Sequence, residues 1–164
     1  MHQVPSAEQS AALPFRFGPA GECEVLLVTS PRRRRWILPK ENVEPPLSPA
    51  LLAAKEAFEE AGVAGVIASD DIGSYWYEKW RADGRSEPIS VQVFPLAATS
   101  EAEDWPERLK RQRRWLTIAE AGQALEKPEL RAILLTFARS ARRAVARRAV
   151  ARRAVARRAV ARRA

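Results

Sequence analysis

The sequence predicts an α+β layered domain, and three observations carry that prediction. Short β-branched and aromatic runs, of which V-L-L-V-T at 25–29 is the clearest, recur without regular β-α alternation. Helix start and stop signals bracket two segments strongly, around 49–61 and from Pro128 onward. From Ala141 the chain is an A-R-R-A-V repeat, so the folding unit is confined to about 140 residues, enough for one domain with a core.

The elements follow in order. Residues 1–10 read as a flexible lead-in and 11–140 as the domain. Ala11 to Phe17 and Glu24 to Thr29 read as strands, Pro31 to Arg35 as a basic turn, and Trp36 to Leu38 as a short strand. A helix spans Pro49 to Ala61: Ser48 can cap it, Pro49 suits its first position and Gly62 its end. Val63 to Gly73 and Ser74 to Trp80 read as strands, Ala82 to Arg85 as a turn, and Ile89 to Ala97 as a further strand. Glu101 to Glu107 is an acidic loop and Arg113 to Leu116 a strand. Thr117 with Glu120 makes a capping box for a short helix. A last helix opens at Pro128, with Leu130, Leu134, Phe137 and Ala141 on one face.

The net charge of +8 suggests a binder of polyanions, yet ten of the arginines lie in the repeat, and the rest of the chain holds 18 basic against 20 acidic residues. The 141–164 tail therefore accounts for the basic pI. Five-residue steps advance about 140° on a helix, which spreads its arginines all round. It is expected to be a helical or disordered low-complexity extension, with non-specific attraction to nucleic acid or polyphosphate as the functional alternative. The single cysteine, Cys23, excludes an internal disulfide and reads as a small buried hydrophobe. The only histidine, His2, lies in the lead-in, which argues against histidine acid–base chemistry. No apolar run is long enough to cross a membrane, and a cytoplasmic protein is the expectation.

The helix at 49–61 holds the chemistry. Glu56, Glu59 and Glu60 stand at i, i+3 and i+4 and project within an arc of about 100°. Leu51, Ala54, Phe58 and Ala61 are expected to be the buried stripe nearly opposite, leaving Glu60 exposed. Like charges at this spacing repel, which usually means a solvated face. A hard divalent cation with oxygen ligands would remove the repulsion.

The stretch Pro39 to Val63, with its strand, proline-rich loop and acidic helix, resembles the Nudix hydrolase signature G-x5-E-x7-R-E-U-x-E-E-x-G-U. Glu56, Glu59, Glu60, Gly62 and Val63 match it. Glu41, Leu47, Lys55 and Ala57 stand where it has glycine, glutamate, arginine and an aliphatic. The loop is similar to that of the diphosphoinositol polyphosphate phosphohydrolase-like subgroup, in which glycine is common at the place of Pro46.

The resemblance implies an α/β/α sandwich with a mixed sheet. It also implies a pyrophosphohydrolase that uses Mg²⁺ or Mn²⁺ on a phosphate-rich small molecule, nucleoside-diphosphate-linked or an inositol pyrophosphate. Glu56, Glu59 and Glu60 would hold the metal, with Glu59 and Glu60 as direct ligands and Glu56 as ligand or base. Lys40 is placed to grip a phosphate, and Arg33 and Arg35 would do so if strand alternation turned them to one face. Lys79, Arg81 and Arg85 are secondary candidates. A further acid outside the motif is expected among Glu101, Glu103 and Asp104. Trp76, Trp80 and Trp105 offer rings to a base, although core packing is their first reading. The alternative function is a binding module whose catalysis is weakened by Glu41, where glycine's backbone freedom is lost, and by Pro46.

Overall fold

The computed structural model describes residues 7–163. In chain order its elements are β1 (Ala7–Phe17), β2 (Cys23–Thr29), β3 (Trp36–Ile37), β4 (Lys40–Asn42), α1 (Pro49–Ala61), β5 (Val63–Ile67), β6 (Ser74–Trp80), β7 (Ser86–Glu101), β8 (Arg113–Thr117), α2 (Ile118–Ala124) and α3 (Pro128–Ala161). The strands form one mixed sheet whose main path runs β3-β2-β1-β7-β5. β1 and β7 are parallel from Ala7↔Ile89 to Phe15↔Ala97. β4 lies antiparallel on β1, β6 on β7 and β8 on β2.

Strand alternation divides the apolar residues between two layers. Ala11, Leu13, Val25 and Leu27 face α2 and α3, and they meet Leu130, Leu134 and Phe137. Ala12, Leu26 and Val28 face α1, and they meet Ala53, Ala57 and Ala61. Helices thus cover both faces of a mixed sheet, the expected α/β/α sandwich. The small alanines let α1 lie close to the strands.

Several boundaries differ from the sequence reading. Residues 1–6 of the lead-in, His2 among them, lie outside the described residues, but Ala7–Ser10 are strand: they pair with Ile89–Gln92, and β4 flanks Gln9 and Ser10. β4 itself was hidden in a polar, proline-flanked segment. β5 ends at Ile67 rather than Gly73, because 68–73 form a connecting loop before β6. β7 extends four residues past Ala97 because β5 pairs with its end. The capping box at Thr117 and Glu120 is formed with both hydrogen bonds.

The buried face of α1 also differs. Leu51 and Phe58 are 55% and 42% exposed, whereas Leu52, Ala53, Ala57 and Ala61 are buried together with Glu56 and Glu60. Helical periodicity located the helix, but the large residues did not mark its inner face, since close packing on the sheet favours alanine. In α3 the last buried residue is Ala141. The helix continues to Ala161, exposed throughout, and Arg142, Val145 and Ala146 border a shallow cleft against Phe17, Cys23 and Ile118. Cys23 is half-buried, and burial raises its thiol pKa.

Candidate active site

The C-terminal end of α1 is where the site is assembled. A helix leaves its last carbonyls without intrahelical partners, and the segment between β7 and β8 supplies them together with the first residue of β8. The Glu107 backbone N–H donates to the Glu59 carbonyl at 3.0 Å, the Trp105 indole N–H to that of Glu60 at 3.1 Å, and Arg113 Nη1 to that of Ala61 at 2.9 Å. Gly62 closes the helix at φ 67°, a left-handed angle that glycine adopts freely. Arg113, stacked 3.8 Å from the Trp105 ring, also sets a cation at the negative end of the helix dipole. This capping brings Glu107 to the flank of α1.

Glu56, Glu60 and Glu107 consequently converge, with one carboxylate oxygen of each within 4.8 Å of the others. Glu56 and Glu60 are 4% and 2% exposed. Burial first, then the neighbouring carboxylates of Glu59 and Glu41, pushes Glu56 up to about 7. Glu60 is pushed up to about 8, mainly by burial and against the opposing pull of Arg111. Arg111 donates from Nη2 to Glu60 Oε1 at 3.1 Å, from Nε to Glu107 Oε1 at 3.3 Å, and from Nη1 to the Thr29 carbonyl at 3.1 Å. Glu60 Oε2 is buried without a hydrogen-bond partner among the described residues. An orphaned buried oxygen amid hard carboxylate donors fits a divalent cation such as Mg²⁺ or Mn²⁺.

Glu59 lies outside this cluster. Its carboxylate turns away to Lys55, 3.4 Å distant. On the helix wheel Glu56 and Glu60 flank the sheet-facing alanines, and Glu59 falls on the outer side. The acid from outside α1 that joins this cluster is Glu107, and not Glu101, Glu103 or Asp104. Glu101 is engaged by Arg113, Arg16 and Trp115, and Asp104 pairs with Arg108. Glu60 is buried, contrary to the expected exposure. Nothing in the spacing of 101–107 singled out Glu107 or Arg111, because their approach depends on how the loop caps α1.

Lys40, half-buried in β4, stands beside the cluster. Burial lowers its pKa most, and Glu60 pulls the other way. Its Nζ lies 5.1 Å from the centre of the Tyr77 ring. Lys40, Trp36, Tyr75, Tyr77, Arg35 and Lys127 line a cleft of about 210 Å³. Arg35 reaches this cleft by pairing with Glu126 at 3.1 Å. Arg33 is exposed in the turn, where Arg34 at φ 51° breaks the alternation that would have aligned the two. Arg81 pairs with Glu87, and Arg85 lies 4.0 Å from Asp83. Trp105 is committed to the helix end, while Trp76 and Trp80 are 46% and 64% exposed rather than core. Glu41 occupies extended β4 opposite Ser10, and among the described non-glycine residues only Arg34 has a positive φ. No glycine-specific angle is required at Glu41, so the backbone argument for weakened catalysis does not hold.

No family model matches the chain. Among curated proteins it is 35% identical over 127 residues to Nudix hydrolase 12, mitochondrial, of Arabidopsis thaliana, covering 68% of this chain and 63% of that protein. It is 34% identical over 122 residues to diphosphoinositol polyphosphate phosphohydrolase 3-beta of Bos taurus, covering 73% of this chain and 69% of the relative. Its fold is similar to that of the Ap4A hydrolase of C. elegans in a binary complex, with a TM-score of 0.62 at 21% identity over 80% of this chain and 94% of that one.

Proposed function

The chain belongs to the Nudix hydrolase family, and from that premise we propose that it hydrolyses a phosphoanhydride with a divalent cation held by Glu56, Glu60 and Glu107. The observation that carries this reading is the convergence of three carboxylates around a buried, unpartnered Glu60 oxygen. When bound, the cation supplies a Lewis acid that polarises the phosphoanhydride and offsets its developing charge. Glu56 and Glu60 would hold the cation as carboxylates, so cation affinity should rise with pH through the neutral range. Lys40, at the border of cluster and cleft, holds a phosphate as a point charge.

The cleft beside Lys40 favours a nucleoside-linked substrate over an inositol pyrophosphate. Its walls are the rings of Trp36, Tyr75 and Tyr77, its volume is about 210 Å³, and Glu126 adds a negative charge at its rim. A flat, uncharged ring system gains from such walls, whereas a ring bearing phosphates all round could use the cations Arg35, Lys40 and Lys127 but would set its other phosphates against the aromatic wall and Glu126. A phosphate-release screen over nucleoside, dinucleoside and inositol pyrophosphates, with Mg²⁺, Mn²⁺ or EDTA, tests both parts. Hydrolysis unaffected by EDTA, or undiminished in Glu60→Gln, overturns the cation assignment. A preference for inositol pyrophosphates overturns the reading of the cleft.

A further inference from the structure

Arg111 is a nearly buried cation at the heart of the carboxylate cluster. Its side chain is 10% exposed, and its donors reach three separate parts of the fold: Glu60 on α1, Glu107 on the capping loop and the Thr29 carbonyl at the end of β2. The Thr29 anchor is itself fixed, since the Gln112 N–H donates to Thr29 Oγ1 at 2.9 Å and the Thr29 N–H to the Gln112 carbonyl at 3.0 Å. The basic residue of α1, Lys55, cannot do this work, because its amine lies on the outer side with Glu59.

The arrangement has a directional consequence. Arg111 takes Oε1 of Glu60 and Oε1 of Glu107, while Glu60 Oε2 stays bare among the described residues. One oxygen of each carboxylate is spent on holding it, and the other is left for a cation. Glu107 is brought to α1 by its backbone N–H on the Glu59 carbonyl, but its side chain, 24% exposed, has no other ion-pair partner among the described residues, so this guanidinium is what aims its carboxylate. A guanidinium donates from three separate nitrogens in a fixed plane, which spreads its reach over the three acceptors, whereas a lysine would have to serve all three from a single nitrogen.

We propose that Arg111 is the positioning residue of the carboxylate cluster, tying Glu60 and Glu107 to the end of β2 so that their remaining oxygens face one cation. This rests on the cation reading above and makes a prediction of opposite sign to simple electrostatics. Removing a positive charge beside a cation site should tighten cation binding if the charge acts only by repulsion. Removing a residue that orders the ligands should weaken it.

The test is Mn²⁺ affinity of the full chain at fixed pH and ionic strength, read by electron paramagnetic resonance of free Mn²⁺ and by calorimetry. Wild type, Arg111→Ala, Arg111→Lys, Glu107→Gln and the double variant Arg111→Ala/Glu107→Gln are compared, with circular dichroism and thermal melting as fold controls. Loss of a residue that orients metal ligands costs about 10- to 100-fold in affinity. Arg111→Ala should weaken Mn²⁺ binding within that range, Arg111→Lys by less, and the double variant should be no weaker than the sum of single effects predicts, because Glu107 is already released. Should Arg111→Ala melt early, Arg111→Lys and the cycle built on it decide the matter. Unchanged or tighter Mn²⁺ binding in the folded variants overturns the proposal. So does a raised KM for substrate with unaltered Mn²⁺ affinity, which would make Arg111 a substrate contact. A wild-type chain that binds no Mn²⁺ overturns the cation reading instead.

Discussion

Without a cation, this protein should lose stability as pH rises from about 5 to 8, and the loss should come from Glu56 and Glu60. Both are carboxyls whose folded-state pKa is raised, to about 7 and about 8, chiefly by burial. The folded chain therefore keeps protons that the unfolded chain releases near the ordinary value of 4.5. Stability is full below that value and falls as pH climbs towards the folded pKa. At about 1.4 kcal/mol per pH unit, Glu60 alone costs about 3 kcal/mol by pH 7. Glu56 shifts in the same direction, and because its charge is one of the causes that raise Glu60 the two losses are not independent, so about 3 kcal/mol is taken for the pair. For a domain of this size that is a fall in Tm of about 6–12 °C.

Differential scanning calorimetry in EDTA between pH 5.5 and 8 measures the slope, and saturating Mg²⁺ should abolish it by binding the ionised carboxylates. The Glu56→Gln/Glu60→Gln variant should have a flatter profile and no response to Mg²⁺. An unchanged slope in that variant, or a Tm in EDTA that holds steady across the range, refutes the reasoning.

Three other outcomes are expected. Glu41→Gln and Glu41→Gly should lower the acidic limb of the pH–rate profile equally, since Glu41 raises the Glu56 pKa through its charge while its backbone is ordinary strand; a gain confined to glycine would mean that backbone freedom matters after all. Phe137→Ala should cost about 3–5 kcal/mol in urea unfolding, because Phe137 is 5% exposed and its ring centre lies 4.9 Å from that of Phe15. Truncation after Ala146 should leave Tm and small-substrate hydrolysis unchanged and abolish salt-sensitive binding to DNA or polyphosphate, whereas a truncated chain that binds these as tightly as the full one would place the basic surface elsewhere.

Much of the fold was legible because its signals are local. The α1 limits are written in Ser48, Pro49 and Gly62, the α2 start in Thr117 and Glu120, and β2 in a run of aliphatic residues. What escaped was set by distant contacts. β4 exists because β1 offers it an edge, and the extra length of β7 exists because β5 needs a partner. In the site, Glu56 and Glu60 follow from helical spacing, but the inward side of α1 was chosen by alanines that permit close packing, which no count of large apolar residues reveals. Glu107 and Arg111 were invisible for a similar reason. Their places come from a loop satisfying the carbonyls at a helix end about fifty residues earlier in the chain, a demand written into backbone geometry rather than side-chain pattern.

The parallel pairing of β1 with β7 has a consequence for the order in which the molecule can assemble. The first strand finds its neighbour some eighty residues later, and contacts of such sequence separation slow folding because a long loop must close before they stabilise anything. On a ribosome, the first strand and the acidic helix emerge well before the strand that joins them and before the arginine that anchors two of the carboxylates. A nascent chain holding only these early pieces exposes the alanine face of the helix and two glutamates with no structure to oppose their repulsion. The carboxylate cluster is therefore assembled late, after the strand that completes the sheet, and a chain stalled before that step has an unsatisfied strand edge open to other chains.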